Sequence, residues 1–335
     1  MPVRATSTAQ FEAAAARGLP PVEEVRPGVH AVPLVMPGQP PFSYAYLIEG
    51  VDGAVAVHDP GWDSDENAAR LADALASIGK GLEDVSLITA SHQHPDHLCG
   101  AARLRAASGA RILLHEPEAA ALRSPDRPDD ESAPWRKWGI PITRLPGLAA
   151  GLAAHAPRVR LADVDGTLVD GEALPIAGRT IRVVATPGHT SGHICLLDEA
   201  SGVVFTGDSV LPTVNPGIGL GGWMPEPIAS ALDSLERVAA LGDAGADEAL
   251  PGHEYRFDGL AERARALRDH HLRRAREVAA VVESDPDLRI WDIASRLTWS
   301  AGFEGLRALS LASALAQTAM HRKFVASEAG RARLG

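Results

Sequence analysis

No run of about 18 uninterrupted apolar residues, the length a membrane-spanning helix requires, occurs in the chain. No bilayer crossing is therefore expected. The N-terminal segment MPVRATSTAQFEAAAARGLPPVEE is rich in alanine but broken by Glu12, Arg17 and the pair Pro20-Pro21, so it lacks the apolar core of a secretory signal. A cytoplasmic location is the expectation. Only two cysteines, Cys99 and Cys195, occur in 335 residues, too few for a disulfide scaffold, and both are expected as reduced, buried thiols. No short repeat is visible, which excludes solenoids and propellers.

Basic residues are in the minority, with 32 Lys and Arg against 43 Asp and Glu and a net charge of −11. The deficit is uneven: from Glu254 to the end there are 14 basic and 11 acidic residues, leaving 18 against 32 in the first 253. An acidic body argues against broad nucleic-acid binding, which depends on neutralising phosphates. The mildly basic tail keeps that alternative open. Part of the acidic excess is offset if Asp side chains hold cations.

With 45% hydrophobic and 22% charged residues, the composition is that of a globular protein, long enough for one large α/β domain and an appendage. Strand-like runs alternate with alanine-rich helical stretches in two halves. The first half has strands at Tyr44–Glu49, Ala54–His58, Val85–Ala90 and Arg111–Leu114, with helices near Glu66–Ile78 and Gly100–Ala107. The second has strands at Thr180–Ala185, Ile194–Leu197 and Val203–Thr206, then a helix near Pro227–Leu241. This grammar predicts layered α/β. Between the halves lies a surface insertion, about 123–157, that contains SPDRPDDESAP and then Trp135, Arg136, Lys137 and Trp138. From about residue 258 the pattern is helical: Gly259–Glu283, Ile290–Thr298 and Leu306–Glu328.

Directly after the buried run Val85–Ala90 comes Ser91-His92-Gln93-His94-Pro95-Asp96-His97, four metal-competent side chains in one loop at a strand's end. Imidazole nitrogens and carboxylate oxygens are the donors a borderline ion such as zinc accepts. Three further segments follow strand-like runs: Thr186-Pro187-Gly188-His189 with His193 beyond it, Phe205-Thr206-Gly207-Asp208, and Leu250-Pro251-Gly252-His253. Each alone is only a turn. Together with the first they resemble the metallo-β-lactamase superfamily, whose HxHxDH, His, Asp, His pattern runs here from about residue 30 to 255.

The resemblance implies an αββα sandwich with the site at one rim: residues 1–257 as catalytic domain, and 258–335 as a C-terminal helical, winged-helix-like extension. It implies that His92, His94 and His189 hold one metal, that Asp96, His97 and His253 hold the other, and that Asp208 bridges them. Two zinc ions are the implied cofactors, with iron or manganese as alternatives. A hydroxide held between the ions is the implied nucleophile. Asp96 is the implied catalytic residue, orienting that hydroxide and protonating the leaving group. Asp59, in His58-Asp59-Pro60-Gly61, resembles the family's early acidic residue that fixes a ligand histidine's tautomer, with an Asx-type turn as its alternative role. His193 is assigned a buried hydrogen-bonding role beside the ligands. His30, His115, His155, His270, His271 and His321 are expected as surface or core histidines.

Cysteine stands where this chain has Asp208 in one lactamase subclass, and flavodiiron oxidoreductases have glutamate at the second histidine of the first cluster, so neither fits. Persulfide dioxygenases share the scaffold with a single iron, which leaves metal identity open. The tail resembles the extension of lactamase-beta-2-like hydrolases, which include thioesterases and single-strand endoribonucleases, and glyoxalase II enzymes also add C-terminal helices. The leading expectation is hydrolysis of a small-molecule acyl-thioester or related ester, with the insertion and the tail forming the leaving-group pocket. Three alternatives stay open: a single-strand endoribonuclease, a metal-binding module without turnover, and helices that pack against a second copy in a homodimer.

Overall fold

The computed structural model describes residues 3–123, 137–148, 164–300 and 302–335. Strand β1 (Arg4–Ala5) leads into helix α1 (Thr8–Ala16), which begins where the Ser7 side chain accepts from the Gln10 amide. The first sheet then runs in sequence order through β2 (Glu23–Arg26), β3 (Val29–Val35), β4 (Phe42–Glu49), β5 (Val55–His58), β6 (Val85–Thr89), β7 (Arg111–His115) and β8 (Gly166–Leu168). Pairing is antiparallel from β2 to β5 and parallel from β5 to β8. Parallel neighbours need crossovers, which α2 (Asp65–Ser77), α3 (Pro95–Leu98) and α4 (Ala101–Ser108) supply; α5 (Glu116–Arg123) follows β7.

The second sheet contains β9 (Ile181–Ala185), β10 (Ile194–Asp198), β11 (Val203–Gly207), β12 (Glu248–Pro251) and β13 (Phe257–Asp258), with β1 at its edge. Helix α6 (Pro227–Asp243) crosses between β11 and β12, the sheet's one parallel pair.

Alternation along β4 explains the layering. Phe42, Tyr44, Tyr46 and Ile48 share a cluster with Val183, Leu196, Phe205 and Leu250 of the second sheet, while Ala45 and Leu47 join Leu71 and Leu75 of α2. Strands covered on both faces read as continuous apolar runs, which is how the sequence shows them. On the outer face of the second sheet, Leu235 and Val238 of α6 and Leu260, Ala264 and Leu267 of α7 (Leu260–Ser284) cover Val184, Cys195 and Val204. The architecture is the expected αββα sandwich, followed by helices.

The tail continues from α7 through α8 (Ile290–Arg296), α9 (Ala308–Ala326) and α10 (Glu328–Leu334), with no strand beyond Asp258 among its described residues. The expected division at 257 falls inside β13, just ahead of α7, whose first half packs on the second sheet while Val278 joins Ile293 and Leu315 of the tail. The helix expected over Leu306–Glu328 is shorter because Ser327 ends α9 and caps α10, its hydroxyl accepting from the Gly330 amide. Of the insertion, Trp135 and Arg136 lie outside the described residues, as does His155, while Trp138 and Ile140 pack against the tail. Both cysteines are free, Cys195 buried and Cys99 half-buried. No helix among the described residues is long and apolar enough to cross a membrane.

Candidate metal centre

One rim of the sandwich gathers all seven candidate ligands. The loop after β6 enters α3 with Pro95 in its first turn, where a missing N–H costs nothing, and the turn presents Asp96 and His97 beside His92 and His94. From the second sheet come His189 after β9, Asp208 at the end of β11 and His253 at the end of β12. Ligand-type atoms lie within 4.8 Å of one another in His92, His94 and His189, in Asp96, His97 and His253, and in His92, His97 and Asp208. Approach this close requires glycine at position 252, where a Cβ would stand 2.6 Å from His97 Cε1 and 2.7 Å from Asp208 Oδ1.

Each of the five histidines commits one ring nitrogen to an outer acceptor. His97 Nδ1 lies 3.0 Å from Asp59 Oδ2; His92 Nδ1 lies 2.9 Å from the Ser91 hydroxyl, which itself donates to Asp59. Backbone carbonyls hold the others: Leu220 for His94 Nε2 at 3.2 Å, Gly217 for His189 Nδ1 at 2.7 Å and Phe42 for His253 Nδ1 at 2.9 Å. With those N–H groups turned outward, the remaining nitrogens point inward, where each offers a lone pair to a metal once any proton it carries is displaced. His92 Nε2, His97 Nε2 and Asp208 Oδ1 are buried without a hydrogen-bond partner among the described residues. Asp208 faces both groups, Oδ1 at 3.5 Å from His97 Nε2 and 3.4 Å from His253 Nε2, and Oδ2 at 3.7 Å from His189 Nε2. Orphaned, convergent nitrogen and carboxylate donors fit a divalent metal. His193 does not join them: its Nδ1 meets the Thr186 hydroxyl at 2.8 Å and its Nε2 accepts from the Asp208 amide at 3.1 Å.

Charge divides the centre. Burial lowers the proton affinity of His92, His94 and His189, and neighbouring imidazoles add to the effect at His92 and at His189, which falls to about 4. Burial would lower His97 too, but Asp96, Asp59 and Asp208 hold it up at about 9, and Asp208 and Asp96 raise His253. Burial alone would raise Asp96 and Asp208, yet His97 and His253 hold both well below the usual carboxylate range. A field that draws protons to this half draws divalent cations by the same physics.

Nothing in the sequence marks Glu118. Buried at the start of α5, its carboxylate accepts from the Gln93 amide at 3.0 Å, the Thr190 hydroxyl at 2.5 Å and the Gly192 amide at 2.8 Å, tying together the two loops that carry His92, His94 and His189. Burial pushes its pKa up to about 7 from 4.5, against those hydrogen bonds. The folded chain therefore holds an extra proton between those values, and the stability Glu118 contributes falls as pH rises through that window. Glu118→Ala should lower Tm by several degrees, and by more at pH 5 than at pH 8, in calorimetry with chelator present throughout. Equal losses at both pH values would refute the assignment.

A cleft of about 700 Å³ opens over the centre, with His94, Asp96 and His253 in its floor and Met36, Phe42 and Leu211 in its walls. Its wall at residues 211–215 is braced from two sides. Arg263 of α7 donates to the Leu211 and Val214 carbonyls, each at 2.7 Å, and Glu254 accepts from the Thr213 amide at 3.0 Å. The tail supports the cleft but contributes none of its described lining.

A family model described as the metallo-beta-lactamase superfamily matches residues 38–253. An acyl-coenzyme A thioesterase of Homo sapiens is 30% identical over 191 residues, 56% of this chain and 62% of that protein. A hydroxyacylglutathione hydrolase of Acidiphilium cryptum is 30% identical over 70% of this chain and 77% of its own. An atrochrysone carboxyl ACP thioesterase of Aspergillus fumigatus is 29% identical, and the chain spans only 34% of its length. Among solved structures, a metallo-beta-lactamase family protein from Thermus thermophilus superposes with a TM-score of 0.69 at 28% identity, covering 90% of this chain and 94% of that one.

Proposed function

The chain belongs to the metallo-β-lactamase superfamily, and from that premise we propose that it is a binuclear metal-dependent hydrolase of acyl-thioesters or related esters. The observation that carries this reading is the pair of ligand groups, with Asp208 facing both, in the floor of a half-apolar cleft. His92, His94 and His189 would hold one ion, Asp96, His97 and His253 the other, and Asp208 both. Zinc is the first choice for these donors, and iron and manganese suit them as well. When bound, such ions lower the pKa of water toward neutrality and stabilise charge developing on the acyl oxygen.

The protein's own groups supply the rest. Asp96, ionised and facing the cleft, accepts the proton released as water's oxygen bonds to the acyl carbon, and returns it to the sulfur as the C–S bond breaks. Asp59 fixes the tautomers of His97 and, through Ser91, of His92. His193 fixes the backbone beneath Asp208. Residues 1–257 form the catalytic body, and 258–335 the extension that braces it.

The cleft's apolar walls suit an acyl chain, and Arg17 is the single Lys or Arg among its described lining residues. A groove that tracks nucleic acid needs several such cations, which favours the ester over RNA. Two of the relatives are named thioesterases. Protein expressed in metal-supplemented medium should hold about two transition-metal equivalents by elemental analysis. In a panel of acyl-CoA, S-lactoylglutathione, lactone, lactam and RNA substrates, thioesters should turn over fastest. Salt-sensitive RNA cleavage without thioesterase activity would establish the endoribonuclease instead, and folded protein with metal near zero would remove the catalytic reading.

A further inference from the structure

The loop that carries Leu220 into the cleft also carries Gly219 and Gly222 into a second groove, of about 240 Å³. Trp138 of the insertion, Trp223 and Met224 of the loop's continuation, and Met320 and Lys323 of α9 wall this groove. The loop between the two cavities is fixed. Gln317 of α9 donates to the Ile218 carbonyl at 2.9 Å, and a Cβ at Gly219, whose φ is +70°, would stand 2.6 Å from Met320 Sδ.

Nine large apolar side chains are exposed among the described residues, and three of them, Val214, Leu220 and Trp223, fall within ten consecutive positions. The first two line the cleft and the third lines the groove, so an exposed apolar rim joins the two cavities. Apolar side chains concentrated at one place on a surface mark a binding site more often than scattered ones do. Trp223 is 55% exposed, and Lys323 makes no hydrogen bond or ion pair among the described residues. The groove is smaller than the roughly 300 Å³ at which sites for whole drug-sized ligands begin, and so has room for one flat ring system. Two indoles, two polarisable thioethers and a free ammonium suit a neutral aromatic base with anionic phosphates attached.

We propose that this groove binds the nucleotide end of the leaving thiol, so that the preferred substrates are acyl thioesters of a nucleotide-bearing thiol of the coenzyme A type. The proposal rests on the thioesterase reading. The acyl chain lies in the cleft over the metal ligands, the thiol arm crosses the rim at Leu220, and the base meets Trp138 and Trp223 with its phosphates near Lys323.

The test compares a medium-chain acyl-coenzyme A with the same acyl group on N-acetylcysteamine, which has the identical scissile bond and no nucleotide. Trp223→Ala and Lys323→Gln, made in the full metal-loaded chain, should each raise the ratio of the two KM values. For Trp223→Ala the rise should be about tenfold, the scale of one lost base–aromatic stack, with kcat little changed. Calorimetric titration with free coenzyme A should show binding that both substitutions weaken. Equal KM shifts for both substrates, no shift for either, or no binding of free coenzyme A overturns the proposal. So does a dimer that Trp223→Ala converts to monomer without change in coenzyme A binding, because the rim is then a subunit contact. If neither thioester is hydrolysed, the thioesterase reading fails, and the titration still decides whether the groove takes a nucleotide.

Discussion

Asp208→Ala should reduce metal content from about two equivalents to one or fewer and cut turnover by on the order of a thousandfold or more. The size follows from position. Losing a residue that merely orients a metal ligand typically costs 10- to 100-fold in affinity or activity, and Asp208 turns one oxygen toward His97 and His253 and the other toward His189. Removing it deprives both ligand groups of their shared anion. The fold should survive, because the hydrogen bond from the Asp208 amide to His193 Nε2 belongs to the backbone. Elemental analysis, circular dichroism and steady-state kinetics on one preparation check this. Two equivalents of metal in the folded variant would show that Asp208 bridges nothing.

The second large effect is expected at Asp96. Asp96→Asn keeps the shape, and His253 Nε2, now 3.2 Å from Asp96 Oδ2, keeps a polar neighbour. The charge and the proton acceptor are lost. Turnover should fall by about two orders of magnitude or more, the scale of a missing general acid and base, with most of the loss in kcat. Metal content should fall far less than in Asp208→Ala, since His97 and His253 still converge on the same point. Near-normal kcat with full metal loading would exclude the proton-transfer role.

Legibility in the sequence followed distance along the chain. His92, His94, Asp96 and His97 stand in one loop behind an apolar strand, so their clustering is visible without any fold. His189, Asp208 and His253 each end a strand-like run, and the family pattern then supplied their order. Glu118 has no such mark. Its role exists only because α5 brings it against residues 72 and 74 positions away. Strand β3 has no clear mark in the sequence because His30 and Pro33 interrupt its apolar run, though both residues are largely covered in the fold. The tail was legible as helices but not as a brace: Arg263 and Gln317 act on backbone carbonyls, which leave no pattern in side-chain identity. Of the four adjacent residues expected in the leaving-group pocket, Trp138 lines the groove beside α9, which does not include the metal cleft.

The two sheets contribute unequally but jointly to the centre. In the proposed assignment, one ion joins His92 and His94 of the first sheet to His189 of the second, and the other joins Asp96 and His97 to His253. Each ion, held so, would cross-link halves of the sandwich that otherwise meet mainly through apolar packing. Metal affinity would then be coupled directly to the free energy that keeps the halves together, since an unfolded chain offers no such preformed site. A cell short of metal would lose more than catalysis: the unloaded chain would open more often, and it would reach proteases sooner than its loaded counterpart.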